Sequence, residues 1–542
     1  MLTPTLSEEK KWTALVAPYI LFSILVLALF VRIYHLDSLP AGLYPDEATN
    51  GTDALLANET GNYRLFYTNN YGREGLFINL QALAIKYFGN TIPVLKAWSV
   101  FFGTFAILGL YLLARELYAR RVYAMTAAFM LATSYWAINF SRIGFRAIMT
   151  TFLLTFCFYF FFRGFRTNKL RDFLIAGLFL GIGLHTYVAF RLAPLIVIAL
   201  LPALFLTYER FLARYWKHAL AFILGACITA APMIYDFYIN PDHFSSRTGA
   251  VSIFSPEINK GDFWGTFGKT FGLSLVKYNF WGDQNWRHNY PPYPILDPVS
   301  GALFLAGFLF LIWETIKLLG LRLRDKLRDE RLIRNWFLLS AFFVMLMPEF
   351  LTEEGLPHAL RAIGTQMPVY LIAILPITWI VRHAQRSLAG GRFALYSLLA
   401  FGLFCGAAFN LTKYFVFFDR NLNQHGAFNQ NFRNMAVYAM SLPNDTLKYI
   451  VTNGGGRMLE DGLPVSAQPI KFLTAGKIEN LVYLTPETTV RTQNSVIILM
   501  NHDDALIGRI KKITPTVRVE HIDLFPGTQS GFTVLRFPSS HQ

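Results

Sequence analysis

Uncharged apolar runs recur along this chain, and they limit it to one class of fold. They fall at about 12–31, 97–114, 122–141, 147–162, 173–190, 192–208, 219–235, 299–313, 335–348, 362–381 and 393–412. Eleven such runs predict eleven membrane-crossing helices, some shorter than the roughly 20 residues that a bilayer core asks for. The pair 173–190 and 192–208 is divided only by Arg191. Composition agrees: 54% of the 542 residues are hydrophobic, 51 are Phe, and only 15% are charged, against about 25% in an ordinary soluble protein. The net charge of +15 comes mostly from short loops between the runs. It reads as membrane orientation rather than nucleic-acid binding. No nucleic-acid partner is expected.

Basic loops alternate with others. Arg115, Arg120 and Arg121, then Arg163 to Arg171, then Arg210 to Lys217, then 317–334, then Arg382 to Arg392 mark one side. By the positive-inside rule that side is cytoplasmic, which puts the N-terminus inside and the C-terminus outside. The first run lacks a small-residue cleavage site after it and reads as a retained helix. Cys157, Cys227 and Cys405 each lie inside an apolar run and read as small core hydrophobes, not as a redox pair or a metal set.

Two domains are expected. A membrane part covers 12–416, with long outer loops at 34–96 and 236–298, and an extracytoplasmic α/β domain covers 417–542. In the first loop, Leu76, Leu80, Leu83 and Tyr87 share one helical face, which suits a helix in the membrane interface or one packed in a soluble domain. In the tail, "TLKYIVTN", "PIKFLTA", "NLVYLT", "SVIILMN" and "VRVEHIDLF" read as strands after a helix in "NQNFRNMAVYAMSL". "NGGGR" reads as a turn.

The outer side collects the unusual polar groups: Asp46 and Glu47 just after the first run, Arg73 and Glu74, Arg142 and Arg146, Tyr187 and Arg191, then "WGDQNWRHNYPPYPILD" and "TEEGLPHALR". Arginines placed against the orientation rule call for an anion, either outer carboxylates and lipid headgroups or a bound phosphate. Carboxylates beside such arginines at a membrane surface suit glycosyl transfer from a lipid-linked phosphosugar. The carboxylate accepts the proton of the attacking hydroxyl, and the arginines stabilise the leaving phosphate.

With "YPDEA" at 44–48, "SRIGFR" at 141–146, "YVAFR" at 187–191 and "PHALR" at 357–361, the membrane part resembles the GT-C glycosyltransferases. The resemblance is to family 39 and its bacterial relatives, the protein O-mannosyltransferases and lipid A aminoarabinose transferases. It implies Asp46 as the base, with Glu47 assisting. It implies Arg73, Arg142, Arg146, Tyr187, Arg191, Arg287, His288, His358 and Arg361 as candidates for binding substrate and phosphate. A polyprenyl-phosphate sugar donor, an extracytoplasmic acceptor, membrane lipids as partners and an inner-membrane location follow from the same resemblance. A divalent cation could draw on Asp46, Glu47, Glu353, Glu354 and His358, although their spacing fixes no site. By themselves, His288 and His358 read as hydrogen-bonding loop residues more readily than as a ligand or an acid. A lipid-linked substrate transporter is the rival reading. It is disfavoured because the runs carry almost no charge at their centres, where transporters bind.

Overall fold

The computed structural model describes residues 11–245, 251–386, 389–488, 494–528 and 530–537. They form two compact units. One comprises the segment up to Tyr34 and Ser99–Phe417. The other comprises His35–Trp98 and Phe418–Gln542.

The first unit is a helical membrane domain. Among the described residues, nine helices are long and apolar enough to cross a membrane: Val16–Ile33, Ile92–Tyr118, Ile148–Thr167, Val188–Thr207, Phe211–Ile239, Pro298–Asp325, Arg331–Phe350, Ile363–Ala384 and Phe393–Phe418. The two remaining expected spans differ in length. The run 122–141 is divided into helices Arg121–Thr133 and Tyr135–Arg142, because Ser134 takes an extended backbone and its hydroxyl caps the second helix by accepting from Ala137 N. The run 173–190 is a helix only over Leu170–Gly183. Beyond it the Thr186 hydroxyl donates to Gly183 O at 2.7 Å and the His185 ring meets Thr229 O at 2.7 Å, so side chains bind groups that a longer helix would occupy. Arg191 does not divide two spans; it lies in the opening turn of the next one. Cys157 is buried, but Cys227 is exposed on the Phe211–Ile239 helix, so it is not the core residue expected. Where a helix faces lipid, an exposed thiol costs little.

The second unit corrects the expected domain boundary. The loop 34–96 does not belong with the membrane helices. Its helices Pro45–Thr60 and Gly75–Phe88 place Ala48, Ala54, Ile78, Ala82 and Ile85 in one core with Phe432, Met435, Ile450, Ile470 and Phe472 of the tail. The loop 236–298 stays in the first unit. Its residues 246–250, like the tail's last five, lie outside the described residues.

The sheet of this unit contains β3 (Leu447–Val451), β4 (Leu481–Leu484), β5 (Ser495–Leu499), β6 (Arg518–Ile522) and β7 (Phe532–Arg536), in the order β4-β3-β5-β7-β6. A separate antiparallel pair joins β1 (Phe66–Tyr67) to β2 (Arg73–Glu74). β3 runs parallel to both β4 and β5, while β7 is antiparallel to β5 and β6. Side-chain alternation splits the sheet's residues between two cores. Ile450, Val496, Ile498 and Val534 face the core that the loop helices share. Tyr449, Val451, Ile497 and Leu535 face Leu506 and Ile507 of helix Asp504–Ile513. "PIKFLTA" is not a strand. It forms helix Gln468–Thr474, buried on nearly every residue, with Pro469 in the first turn. A short run apolar on all sides has no period by which to tell strand from helix. Helix Gly75–Phe88 buries Phe77, Ile78 and Ala82 and leaves Leu83, Tyr87 and Phe88 outward, so the apolar stripe seen in the sequence is largely its exposed side.

Phe472 packs directly on helix Pro45–Thr60. A Cβ on Gly51 would stand 2.5 Å from its ring. Gly51→Ala should therefore destabilise this unit by about 1–3 kcal/mol, the scale of an overpacked core, despite the better helix propensity of Ala. Thermal unfolding of the purified protein checks this.

Candidate active site

Pro45, Asp46 and Glu47 form the first turn of helix Pro45–Thr60, and this explains their order in the sequence. Pro is preorganised for a first helical turn, and carboxylates there meet the positive end of the helix dipole. The two acids then diverge. Glu47 is fully buried, with Lys96 Nζ at 3.9 Å from its Oε2. Asp46 is half-buried, and Asn70 Nδ2 donates to its Oδ1 at 2.8 Å. Asp46 alone of the pair reaches the surface.

Arg73, one of the candidates for binding substrate or phosphate, is committed to its own loop. It is 3% exposed and ion-paired with Asp53, and it donates to Asn50 Oδ1 at 2.5 Å. Asn69 also donates to Asp53, at 2.8 Å. Burial pushes the Asp53 carboxyl above its usual value, and Arg73 pulls it partly back. These groups pin the loop 68–73, which carries Asn70, against the Asp46 helix.

The other candidates lie in the first unit. His288 Nδ1 stands 3.0 Å from Asp283 Oδ2, which also accepts from Ala359 N at 2.7 Å. The His288 and His358 rings are 4.7 Å apart between centroids. Asp283, His288 and His358 each offer a ligand atom within 4.8 Å of the others, and they are the one such group of three among the described residues. One carboxylate and two imidazoles suit a borderline metal such as zinc better than magnesium. Of the acids on which a cation could have drawn, Glu353 pairs with Lys269 at 2.7 Å, and Glu354 pairs with Arg361. Arg361 also donates to Thr352 Oγ1 at 2.6 Å, so it braces its own turn. Beneath this turn Lys277 and Glu349 form a fully buried ion pair at 2.5 Å, and Glu349 Oε1 accepts from His358 N at 2.8 Å. Burial lowers the Lys277 ammonium, partly offset by Glu349.

Arg191 is held by Phe237 and Phe244, with its guanidinium 4.7 and 5.0 Å from their rings, and donates to Phe244 O at 2.6 Å. Arg146 lies 5.6 Å from the Tyr187 ring, which joins the two caps. The Arg287 backbone carbonyl accepts from Asn139 at 2.7 Å.

Arg142 is fully buried. It donates to Tyr414 Oη at 3.2 Å and Val31 O at 2.8 Å. Beside it lies Arg32, also fully buried, donating to Ser141 Oγ and to the carbonyls of Ala28 and Ala132. Its Nη2 has no hydrogen-bond partner among the described residues. Lys413 sits 4.6 Å from the Tyr135 ring, which packs on Tyr414. Neither Arg32 nor Lys413 makes an ion pair among the described residues. The helices that carry these cations also line an open apolar groove of about 540 Å³, between Ile24 and Leu27, Met125 and Phe129, and Leu403 and Phe404. Arg32, Ala132 and Lys413 all lie further along those helices in the direction of Arg142.

The chain matches the model of the dolichyl-phosphate-mannose-protein mannosyltransferase family over residues 76–235, under a third of its length. No curated protein matches it significantly. Three solved structures resemble it over most of its length. ArnT from Cupriavidus metallidurans bound to undecaprenyl phosphate has a TM-score of 0.55 at 12% identity, covering 97% of this chain and 98% of that one. The same protein in the apo state gives 0.54 at 13%, covering 96% and 98%. The apo oligosaccharyltransferase of Archaeoglobus fulgidus gives 0.52 at 15%, covering 86% of this chain; the chain spans 64% of that protein's length. The chain has the GT-C fold. The family match takes in the "SRIGFR" and "YVAFR" caps of this GT-C chain and begins after Asp46 and Glu47.

Sequence reasoning on this GT-C chain missed Arg32, Lys277, Glu349 and Lys413 as site residues. Arg32, Glu349 and Lys413 each lie at the end of an apolar run, where a lone charge reads as a snorkelling group, and Lys277 lies within the second outer loop. Asp283 stood in a polar segment without a role. Its service to His288 depends on a five-residue turn that no motif announces.

Proposed function

We propose that this protein is an inverting glycosyltransferase of the inner membrane that moves a sugar from a polyprenyl-phosphate donor to an extracytoplasmic acceptor. The observation that carries the reading is the contrast within the acidic pair. Glu47 is buried beside Lys96, while Asp46 is held by Asn70 and reaches the surface. In the reaction, Asp46 takes the proton of the acceptor hydroxyl as its oxygen attacks the anomeric carbon. The bond from that carbon to the carrier's phosphate oxygen breaks, and the phosphate leaves with the electron pair. Inversion follows from attack opposite the leaving group.

The donor is assigned to the first unit. An isoprenoid chain fits the open apolar groove, and Arg32 and Lys413, buried further along two of the helices that line it, carry the charge that would draw a phosphate. Arg32→Gln should weaken binding of polyprenyl phosphate by roughly tenfold, the scale of one charge-assisted hydrogen bond, measured by equilibrium binding in detergent. The activity is tested by incubating purified protein with radiolabelled polyprenyl-phosphate sugars and an envelope extract, following release of polyprenyl phosphate. A hexose and a pentose donor in the same panel would set the sugar class. Binding of donor without turnover would favour the transporter reading instead.

A further inference from the structure

The second unit carries a loop that the proposed reaction has not used. The chain leaves β3 for β4 on one side and then reaches β5 on the other. The loops after β3 and β5 therefore lie side by side at the carboxyl ends of adjacent parallel strands. Open α/β sheets form their ligand crevices at such switch points. Here the loops are "TNGGGR" at 452–457 and "MNHDD" at 500–504. Asn453 and Asn501 tie them together, with bonds of 2.8, 2.9 and 3.0 Å between side chains and backbone.

A Cβ on Gly454 would stand 2.7 Å from Ser466 Oγ and 2.9 Å from Met500 Cε, so the backbone passes close against the ends of both side chains. Ser466 is 8% exposed, and its hydroxyl, facing Gly454, has no hydrogen-bond partner among the described residues. Gly455 borders open space. Arg457 is exposed, 5.1 Å from the Tyr71 ring, and makes no ion pair among the described residues. The neighbouring acids are engaged: Glu460 by Arg64 and Thr68, Asp461 by Lys471 at 2.7 Å and Gln468 at 3.0 Å. The loop thus offers backbone amides, one buried hydroxyl and a guanidinium; on the adjoining loop Asp503 caps helix Asp504–Ile513 and Asp504 meets His502 Nε2 at 3.1 Å. That donor set suits an anion. It is also joined to the base. Tyr71 follows Asn70, which holds Asp46, and Asn69 Oδ1 accepts from Glu460 N at 3.0 Å.

We propose that residues 452–457, with Ser466 and Tyr71, form a subsite for an anionic group of the acceptor, a phosphoryl or a carboxylate. It holds that group while the acceptor hydroxyl reaches Asp46. The proposal rests on the transferase reading for its role but not for its chemistry.

The test uses the full-length protein in detergent and reads amide hydrogen exchange, which needs no donor. Inorganic phosphate should slow exchange across 453–457 and at 69–72. Arg457→Gln should raise the phosphate concentration needed by about tenfold, and Ser466→Ala should raise it less, as loss of a neutral donor does. Acetate in place of phosphate separates the carboxylate source from the phosphoryl one. Phosphate should also slow wild-type transfer to the acceptors of an envelope extract, and Arg457→Gln should relieve that inhibition. Protection by neither anion, or protection unchanged by Arg457→Gln, overturns the subsite. Protection without effect on transfer overturns its role with the acceptor. Protection in a protein that releases no polyprenyl phosphate leaves the subsite standing and counts against the transferase reading alone.

Discussion

Asp46→Asn should lower turnover of the polyprenyl-phosphate sugar by about 10²–10⁴-fold, the range for removing a positioned general base, with donor affinity unchanged. The substitution keeps the shape, the helix position and an oxygen facing Asn70. It removes the charge that accepts the proton. Glu47→Gln should behave differently. Glu47 is fully buried with Lys96, so its loss should appear first as lower thermal stability. A variant of Asp46 with full turnover would remove the base from this residue. Comparing the two variants by both readouts separates chemistry from packing at adjacent positions.

Much of the membrane architecture was legible because hydrophobic runs are counted over 20 residues at a time. Nine of the eleven runs became helices long enough to span a membrane, and the other two were cut short by side chains. Ser134 caps a new helix inside one run, and Thr186 and His185 stop another. The loop 34–96 was misassigned for a different reason. Its partners in the core, Phe432, Ile450 and Phe472, lie more than 300 residues away in the chain, and no local pattern records such a pairing. The arginines show the same limit. Sequence identifies a charge in an unfavourable place but not its partner, so Arg73, Arg191 and Arg361 looked alike. The structure gives Arg73 to Asp53, Arg191 to two phenylalanines and Arg361 to Glu354.

Glu349→Ala should cost about 3–5 kcal/mol of stability, the scale of breaking a buried ion pair from one side. Lys277 and Glu349 are both fully buried, 2.5 Å apart. Without the carboxylate, burial bears on the Lys277 ammonium opposed only by the charge of Asp283, and pushes it further below its usual value. His358 N also loses its acceptor, so the turn carrying His358 and Arg361 loosens. Glu349→Gln separates these effects, because the amide oxygen can still accept from His358 N while the charge is gone. The double variant Glu349→Leu with Lys277→Met should recover most of the lost stability, since apolar groups of similar volume satisfy a dry site. It should not recover the orientation of His358. Thermal unfolding in detergent reads the first quantity, and donor turnover reads the second. If the double variant restores both, the pair is structural support alone. If it restores only stability, Glu349 positions His358, and through it the group formed with His288 and Asp283.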